Sequence, residues 1–262
     1  MLNKKFFLFG SLIGFVLIIS FFLSLPDGKL HVVFCDVGQG DAAYIRTPSN
    51  QDMLIDGGPD DRVLSCLGRH MPFYDRTIDV VVLSHPQRDH MQGLISVVQR
   101  YSIKYFIIGV EGNETAGYKL LVENLKKKNI PIKNLYTGDK FYLGKVEFDV
   151  LWPDKKWVAD KVQSSKIKAQ SLVGAVLGLS TDTELNDFSY YLNLKYGTFS
   201  TLFTGDGDVH MQPEVMKIGD LPQVTVLKFP HHGSKTAMLP MFLDKLAPEL
   251  AVISVGKNSY GH

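Results

Sequence analysis

Hydrophobic and polar positions divide the chain into three regimes. From Phe6 to Leu25 twenty residues carry no charge, enough at 1.5 Å per residue to cross a hydrocarbon core of roughly 30 Å. Next come short apolar runs punctuated by turn formers, which predict strands at about 30–35, 42–47 and 52–56, with turns at Gly38-Gln39-Gly40-Asp41 and Pro48-Ser49-Asn50. From Asp79 onward strands and helices alternate. Val80-Val81-Val82-Leu83 is a continuous apolar run, as in a strand buried on both faces.

A helix is predicted at 93–101, a strand at 105–110 and a helix at 116–128, and Phe141 to Trp152 reads as a hairpin turning at Gly144-Lys145. The layout then repeats, with strands at 189–196 and 199–204, a helix at 213–217, a strand at 224–229, a helix at 238–246 and a strand at 250–255. Two halves of mixed sheet with outer helices predict an α/β fold, a four-layered αββα sandwich, because neither sheet is polar enough to leave a face wet. The tract 154–185 interrupts this order. Its apolar piece Ser171 to Ser180 is too short to span a membrane and reads as a lid or surface insertion.

Charge adds topology. Lys4 and Lys5 precede the apolar span, so the positive-inside bias places the N-terminus in the cytoplasm and the rest outside. A cleaved signal peptide would have a shorter apolar stretch and a small-residue cleavage site, and neither is present. The expectation is a single-pass membrane protein with an anchor at 1–29, inserted through residues 6–25, and an extracytoplasmic domain at 30–262. Without Lys4, Lys5, Lys29 and Asp27 the chain has 25 basic against 26 acidic side chains. That balance excludes the global basic field of a strong nucleic-acid binder, so a polyanionic substrate would need a local groove. The run Lys126-Lys127-Lys128 reads more simply as a solvated helix face. Cys35 and Cys66 match no zinc or redox spacing and read as ordinary thiols, with a disulfide permitted outside the cytoplasm.

The strongest chemical signal is Ser84-His85-Pro86-Gln87-Arg88-Asp89-His90, two imidazoles and a carboxylate directly after an apolar strand. Imidazole and carboxylate suit a divalent ion such as Zn²⁺ or Mn²⁺. A polar loop in which Asp89 merely caps the next helix would explain one residue and leave the others idle. Thr204-Gly205-Asp206 and Pro230-His231-His232-Gly233-Ser234 follow apolar runs in the same way. One imidazole of His231-His232 is expected to bind metal or substrate and the other to hold the scaffold, and the pattern leaves open which. Ser234 and Lys235 are candidate phosphate contacts. Asp36 and Asp56 are expected to brace the loops of the site, and Gly38, Gly40, Gly57 and Gly58 to supply positive φ.

These motifs, in order Phe34-Cys35-Asp36-Val37-Gly38-Gln39-Gly40-Asp41-Ala42, Leu54-Ile55-Asp56-Gly57-Gly58, SHPQRDH, TGD, HHGS and SVGKNSYGH, resemble the metallo-β-lactamase-like domain of the ComEC family of competence DNA-uptake proteins, from about residue 30 onward. The resemblance implies an αββα hydrolase with a metal site at the sheet edge and, for the DNA-uptake members, a nuclease acting on the incoming strand. It implies metal ligation by His85, Asp89, His90, Asp206, His231 and His262, with Asp89, His232 and Lys235 in catalysis. His262 is the last residue, where the family usually continues, so a truncated C-terminus is expected. The departure is Gln87, which stands where the superfamily usually has a His. One firmly held ion is therefore expected, with a second that is weak or completed by substrate phosphate. The expected activity is metal-dependent phosphodiester hydrolysis, with single-stranded DNA among the substrates. The alternatives are a cell-envelope phosphodiester hydrolase and a non-catalytic phosphate- or nucleic-acid-binding module.

Overall fold

In a computed structural model, residues 4–23, 27–162 and 177–258 are described. His262 and most of Ser171 to Ser180 lie outside the described residues. Helix α1, Lys4–Leu23, is 20 residues long and exposes Phe6, Leu8, Phe9 and Phe22. Among the described residues no helix is long and apolar enough to cross a membrane. The side chains of Lys5, Phe7 and Leu23 are outside that set. The expected transmembrane helix therefore has no support from the structure.

Two six-stranded sheets form the centre. The first runs β1 (His31–Phe34), β2 (Ala43–Arg46), β3 (Asp52–Ile55), β4 (Thr77–Val82), β5 (Ser102–Ile107) and β6 (Ile132–Lys133), in that order. Its first three strands are antiparallel neighbours and the rest are parallel. The second contains β7 (Lys140–Leu143), β8 (Val146–Trp152), β9 (Tyr191–Tyr196), β10 (Phe199–Phe203), β11 (Val226–Lys228) and β12 (Leu250–Val252). It repeats the plan, with an antiparallel meander from β7 to β10 and parallel β10, β11 and β12.

Successive residues of a strand face opposite sides, and β4 shows why its run is apolar throughout. Val80 and Val82 join Ile45, Met53, Phe148, Leu192 and Phe203 in the core between the sheets, while Val81 faces outward with Leu54 and Phe106. That outer face is covered by α2 (Arg62–His70), α3 (Arg88–Arg100) and α4 (Ala116–Lys127) through Leu67, Leu94, Val98, Leu121 and Leu125. The outer face of the second sheet packs Leu202 and Leu227 against Val215 of α6 (Gln212–Ile218) and Phe242 of α7 (Pro240–Leu246). The four layers are those the alternation of strands and helices predicts.

Several elements depart from the sequence reading, the short edge strand β6 among them. Helix α2 was not anticipated, although Val63, Cys66 and Leu67 are buried at the i, i+3, i+4 spacing of an amphipathic helix. Helix α3 begins at Arg88, five residues ahead of the expected 93, so Asp89 and His90 lie in its first turn and Gln87 is its N-cap. Within the expected insertion, α5 covers Lys155–Lys161, and the backbone at Leu179 bonds to Val110 and Gly112. The cysteines are not free thiols, because Cys35 and Cys66 form a disulfide across a Cα–Cα distance of 5.7 Å that ties the end of β1 to α2.

Candidate metal centre

The site forms where strand ends from both halves meet the N-terminus of α3. Close backbone approach makes this possible. Gly40 at φ +145° lies so near α3 that a Cβ there would stand 2.2 Å from the carbonyl oxygen of Asp89, and the Gly57 amide donates to the His90 carbonyl at 2.6 Å. Gly57 has no positive φ, so contact with α3 and not turn geometry explains it. From the second half, Gly205 brings Asp206 beside Ser84 and Ser189, and the Asp206 amide donates to Ser189 Oγ at 3.2 Å.

Four of the expected residues converge. Ligand atoms of Asp89, His90, Asp206 and His232 all lie within 4.8 Å of one another. His90 Nε2 is 3.2 Å from Asp206 Oδ2, and His232 Nε2 is 3.3 Å from both Asp206 Oδ2 and Asp89 Oδ2. Donors held tetrahedrally at ~2.0–2.2 Å from a divalent ion stand roughly 3.3–3.6 Å apart, so these spacings fit one ion. His90 Nε2 is buried and makes no aligned hydrogen bond despite that neighbour. A buried nitrogen left without a bond is costly, and a shared cation removes the cost.

The supporting bonds orient each imidazole. His90 Nδ1 faces Asp56 Oδ2 at 2.8 Å, and Asp56 also accepts from the Ser84 amide and Ser84 Oγ, each at 2.7 Å. A His whose outer nitrogen donates to a carboxylate presents the other nitrogen as a ligand. His232 Nδ1 is 2.9 Å from the carbonyl oxygen of Ser254. Its backbone lies in the left-handed region, as does that of His231, at φ 52° and 47°. Such conformations cost about 1–3 kcal/mol each and persist where the surroundings impose them.

Charges in the cluster support one another. Burial opposes the charge on His90, but Asp206 and Asp56 outweigh it and hold its pKa well above the ordinary value. Burial likewise opposes ionisation of Asp206, which His90 and His232 pull well below the usual carboxylate range. Burial of His232 is outweighed by its bonds to Asp206 and Asp89, raising it to about 9. Asp89, resisted by burial and pulled down by His232, falls to about 2.

The other expected residues are placed differently. His85 is fully buried beside His90, with ring centroids 4.2 Å apart. Its Nδ1 meets Ser84 and Ser189 hydroxyls at 3.1 and 3.3 Å, while Nε2 has no hydrogen-bond partner. Burial, then His90, lowers its pKa to about 3 and keeps it neutral. It stands outside the group of four. His231 turns to Asp208, with Nδ1 3.7 Å from Oδ2, so of the two adjacent imidazoles it is His232 that joins the cluster. Lys235 is exposed and does not line the cleft. Gln87 Nε2 donates to Asn186 Oδ1 at 2.5 Å. Asp36 is exposed and braces no part of the cluster.

Two residues went unassigned in the sequence and belong here. Lys228, 3% exposed, pairs with Asp41 and lies 3.9 Å from Asp206 Oδ1. Asp41 Oδ1 is 3.6 Å from His232 Nδ1. The legible signal was a lysine inside the apolar run Val224 to Phe229, since lysines are almost never buried unless paired. The cluster opens on a cleft of ≈ 1260 Å³, whose walls carry Arg62, Arg88 and Lys257.

Comparison with known proteins supports the fold. The chain is 24% identical over 270 residues to ComE operon protein 3 of Bacillus subtilis (strain 168), covering 97% of this chain and 32% of that protein. It is 26% identical over 259 residues to competence protein ComA of Neisseria gonorrhoeae, covering 94% of this chain and 31% of that protein. The crystal structure of the metallo-β-lactamase fold protein YhfI from Bacillus subtilis superposes with a TM-score of 0.50 at 13% identity, covering 88% of this chain and 87% of that one.

This is a metallo-β-lactamase-fold chain that resembles the ComEC family of competence proteins. It spans about a third of the length of the curated competence proteins it matches, 32% and 31%. No family model matches the chain. In this ComEC-like chain the His/Asp cluster is compatible with a divalent metal.

Proposed function

We propose that the chain is a metal-dependent phosphodiesterase, with nuclease action on single-stranded DNA as its foremost activity. The observation that carries this reading is the convergence of His90, His232, Asp89 and Asp206 at ion-ligand spacing, with Asp89, Asp206 and His232 lining a cleft that also carries Asp60, Arg62, Arg88 and Lys257. Zn²⁺ and Mn²⁺ both suit two imidazoles and two carboxylates. A bound divalent ion supplies Lewis-acid polarisation of a phosphoryl oxygen and a lowered pKa for water.

The protein's own groups do the rest. Asp89 is the most exposed of the four ligands at 31% for its side chain, which places an ionised acceptor on the solvent side, where it orients an attacking water by accepting its hydrogen bond. Asp56 and the Ser254 carbonyl fix the two imidazoles. Arg88 and Lys257 offer donors to phosphate oxygens, a role the sequence alone pointed to in Lys235, while Arg62 is paired with Asp60 on the same wall. A local basic wall on a nearly neutral domain is the groove that a polyanionic strand requires.

The anchor remains part of the proposal on sequence grounds, from Lys4-Lys5 and the uncharged stretch Phe6 to Leu25. The Cys35–Cys66 disulfide supports an extracytoplasmic domain, since such bonds persist in oxidising compartments. Two experiments test the reading. Purified full chain loaded with Mn²⁺ or Zn²⁺ is expected to cleave single-stranded DNA, and the Asp89→Ala protein is not; cleavage of a choline-phosphate diester alone would move the substrate to the cell envelope. Protease added to intact cells stripped of outer layers is expected to digest the domain, and protection until lysis would reverse the topology.

A further inference from the structure

We propose that Lys228 is a built-in cation that takes the place of a second metal ion beside Asp206, making this a one-ion centre. The inference rests on the metal-hydrolase reading above and goes beyond it by fixing the ion count through a residue of the protein itself.

Lys228 ends β11, a strand buried along its whole length, and its side chain is 4% exposed. An ammonium so placed is held only by acceptors. Three surround it: Asp41 Oδ2, the Gly205 carbonyl oxygen at 3.1 Å and Asp206 Oδ1 at 3.9 Å. Asp206 thereby divides its two oxygens. Oδ2 faces His90 and His232 in the ligand cluster, and Oδ1 faces the lysine. In a two-ion centre, with ions ~3.5–4 Å apart, a carboxylate in this place would serve both ions. Here its Oδ1 makes no hydrogen bond, and Lys228 at 3.9 Å is the cation beside it.

Charge and ligand supply agree. One divalent ion plus one ammonium neutralises Asp41, Asp89 and Asp206, while Asp56 is satisfied by Ser84 and His90. On the other side of His90, Gln87 bonds Asn186 and leaves His85 Nε2 as a single buried donor atom, which a water can satisfy. Replacing the ammonium by an apolar group would leave Asp41 Oδ2, Asp206 Oδ1 and the Gly205 carbonyl around an uncompensated space, a set of hard oxygens suited to Mn²⁺.

The test is metal stoichiometry, measured by calorimetric titration with Mn²⁺ and by elemental analysis on the purified full chain. Wild type is expected to saturate at one equivalent and Lys228→Met at two, with the extra equivalent lost again when Asp41→Asn is added. Lys228→Arg keeps the charge and is expected to stay at one. Two equivalents in wild type, or one in a folded Lys228→Met, would overturn the inference while leaving the hydrolase reading intact. No binding to wild type would overturn both. Should Lys228→Met not fold, Lys228→Gln is titrated in its place, with two equivalents expected and one in the folded protein overturning the inference.

Discussion

His232 Nδ1 lies 2.9 Å from the carbonyl oxygen of Ser254, and this bond determines which imidazole nitrogen serves the cleft. A carbonyl can only accept, so Nδ1 carries the proton and Nε2 is turned to Asp89 and Asp206. His231, its neighbour in sequence, turns instead to Asp208. His232→Ala is therefore expected to abolish tight metal binding, while His231→Ala leaves the affinity within a few-fold of wild type. Calorimetric titration of both variants checks this, and equal losses would contradict it.

Asp56 is not one of the four converging residues but stands 2.8 Å from His90 Nδ1. Loss of such an outer partner typically costs about 10–100-fold in metal affinity. Asp56→Asn should show a loss in that range, with circular dichroism confirming an intact fold.

Metal binding is expected to release protons. Without metal, Asp206 and Asp89 raise the His232 pKa to about 9 against burial, and His90 is held well above its ordinary value. Both folded values lie above the unfolded one, so their contribution to stability is complete below about pH 6.5 and, for His232, is lost as pH rises through about 9. An ion must displace those protons, so its apparent affinity should rise with pH by roughly one to two decades per unit below that point. Titrations between pH 6 and 8 in buffers of different ionisation enthalpy measure the protons released. A pH-independent affinity would count against this charge assignment.

Glu111 gives a second, separate pH signature. Its carboxyl is buried with Oε1 unpartnered, and burial pushes its pKa up to about 8 from 4.5. The folded state then prefers the neutral acid. Stability should fall by about 1.4 kcal/mol per pH unit between those values and level off above. Thermal unfolding of Glu111→Gln should lose this part of the slope. The readout is the slope, because a buried amide also changes the absolute stability.

The Cys35–Cys66 bond closes a separation of 31 residues. The loop-entropy relation gives about 3–4 kcal/mol for a loop of that size. At a few degrees per kcal/mol for a domain of this length, the Cys35→Ser, Cys66→Ser double variant should melt roughly 7–15 °C lower. Reduction of wild type should reproduce the shift.

What the sequence made legible was whatever local order encodes. Period-two alternation places Val81 and its neighbours on opposite faces of β4, and the run from His85 to His90 carries two of the four converging residues. Tertiary pairing was hidden. Lys228 reads as an odd charge in a strand until Asp41, distant in sequence, is folded against it. The choice between His231 and His232 depends on backbone angles in a turn that no composition rule fixes. Helix α2 could have been found from Val63, Cys66 and Leu67, but nine residues containing a glycine and four polar or charged side chains gave a weak pattern.

The doubled architecture has a consequence for how the protein holds together. Asp89 and His90 come from the first half, Asp206 and His232 from the second. Neither half by itself supplies all four of these residues, so an ion held by this set would bridge the seam. Its binding energy would act as a latch on the docking of the halves. Loss of metal would then loosen the seam before either sheet unravelled.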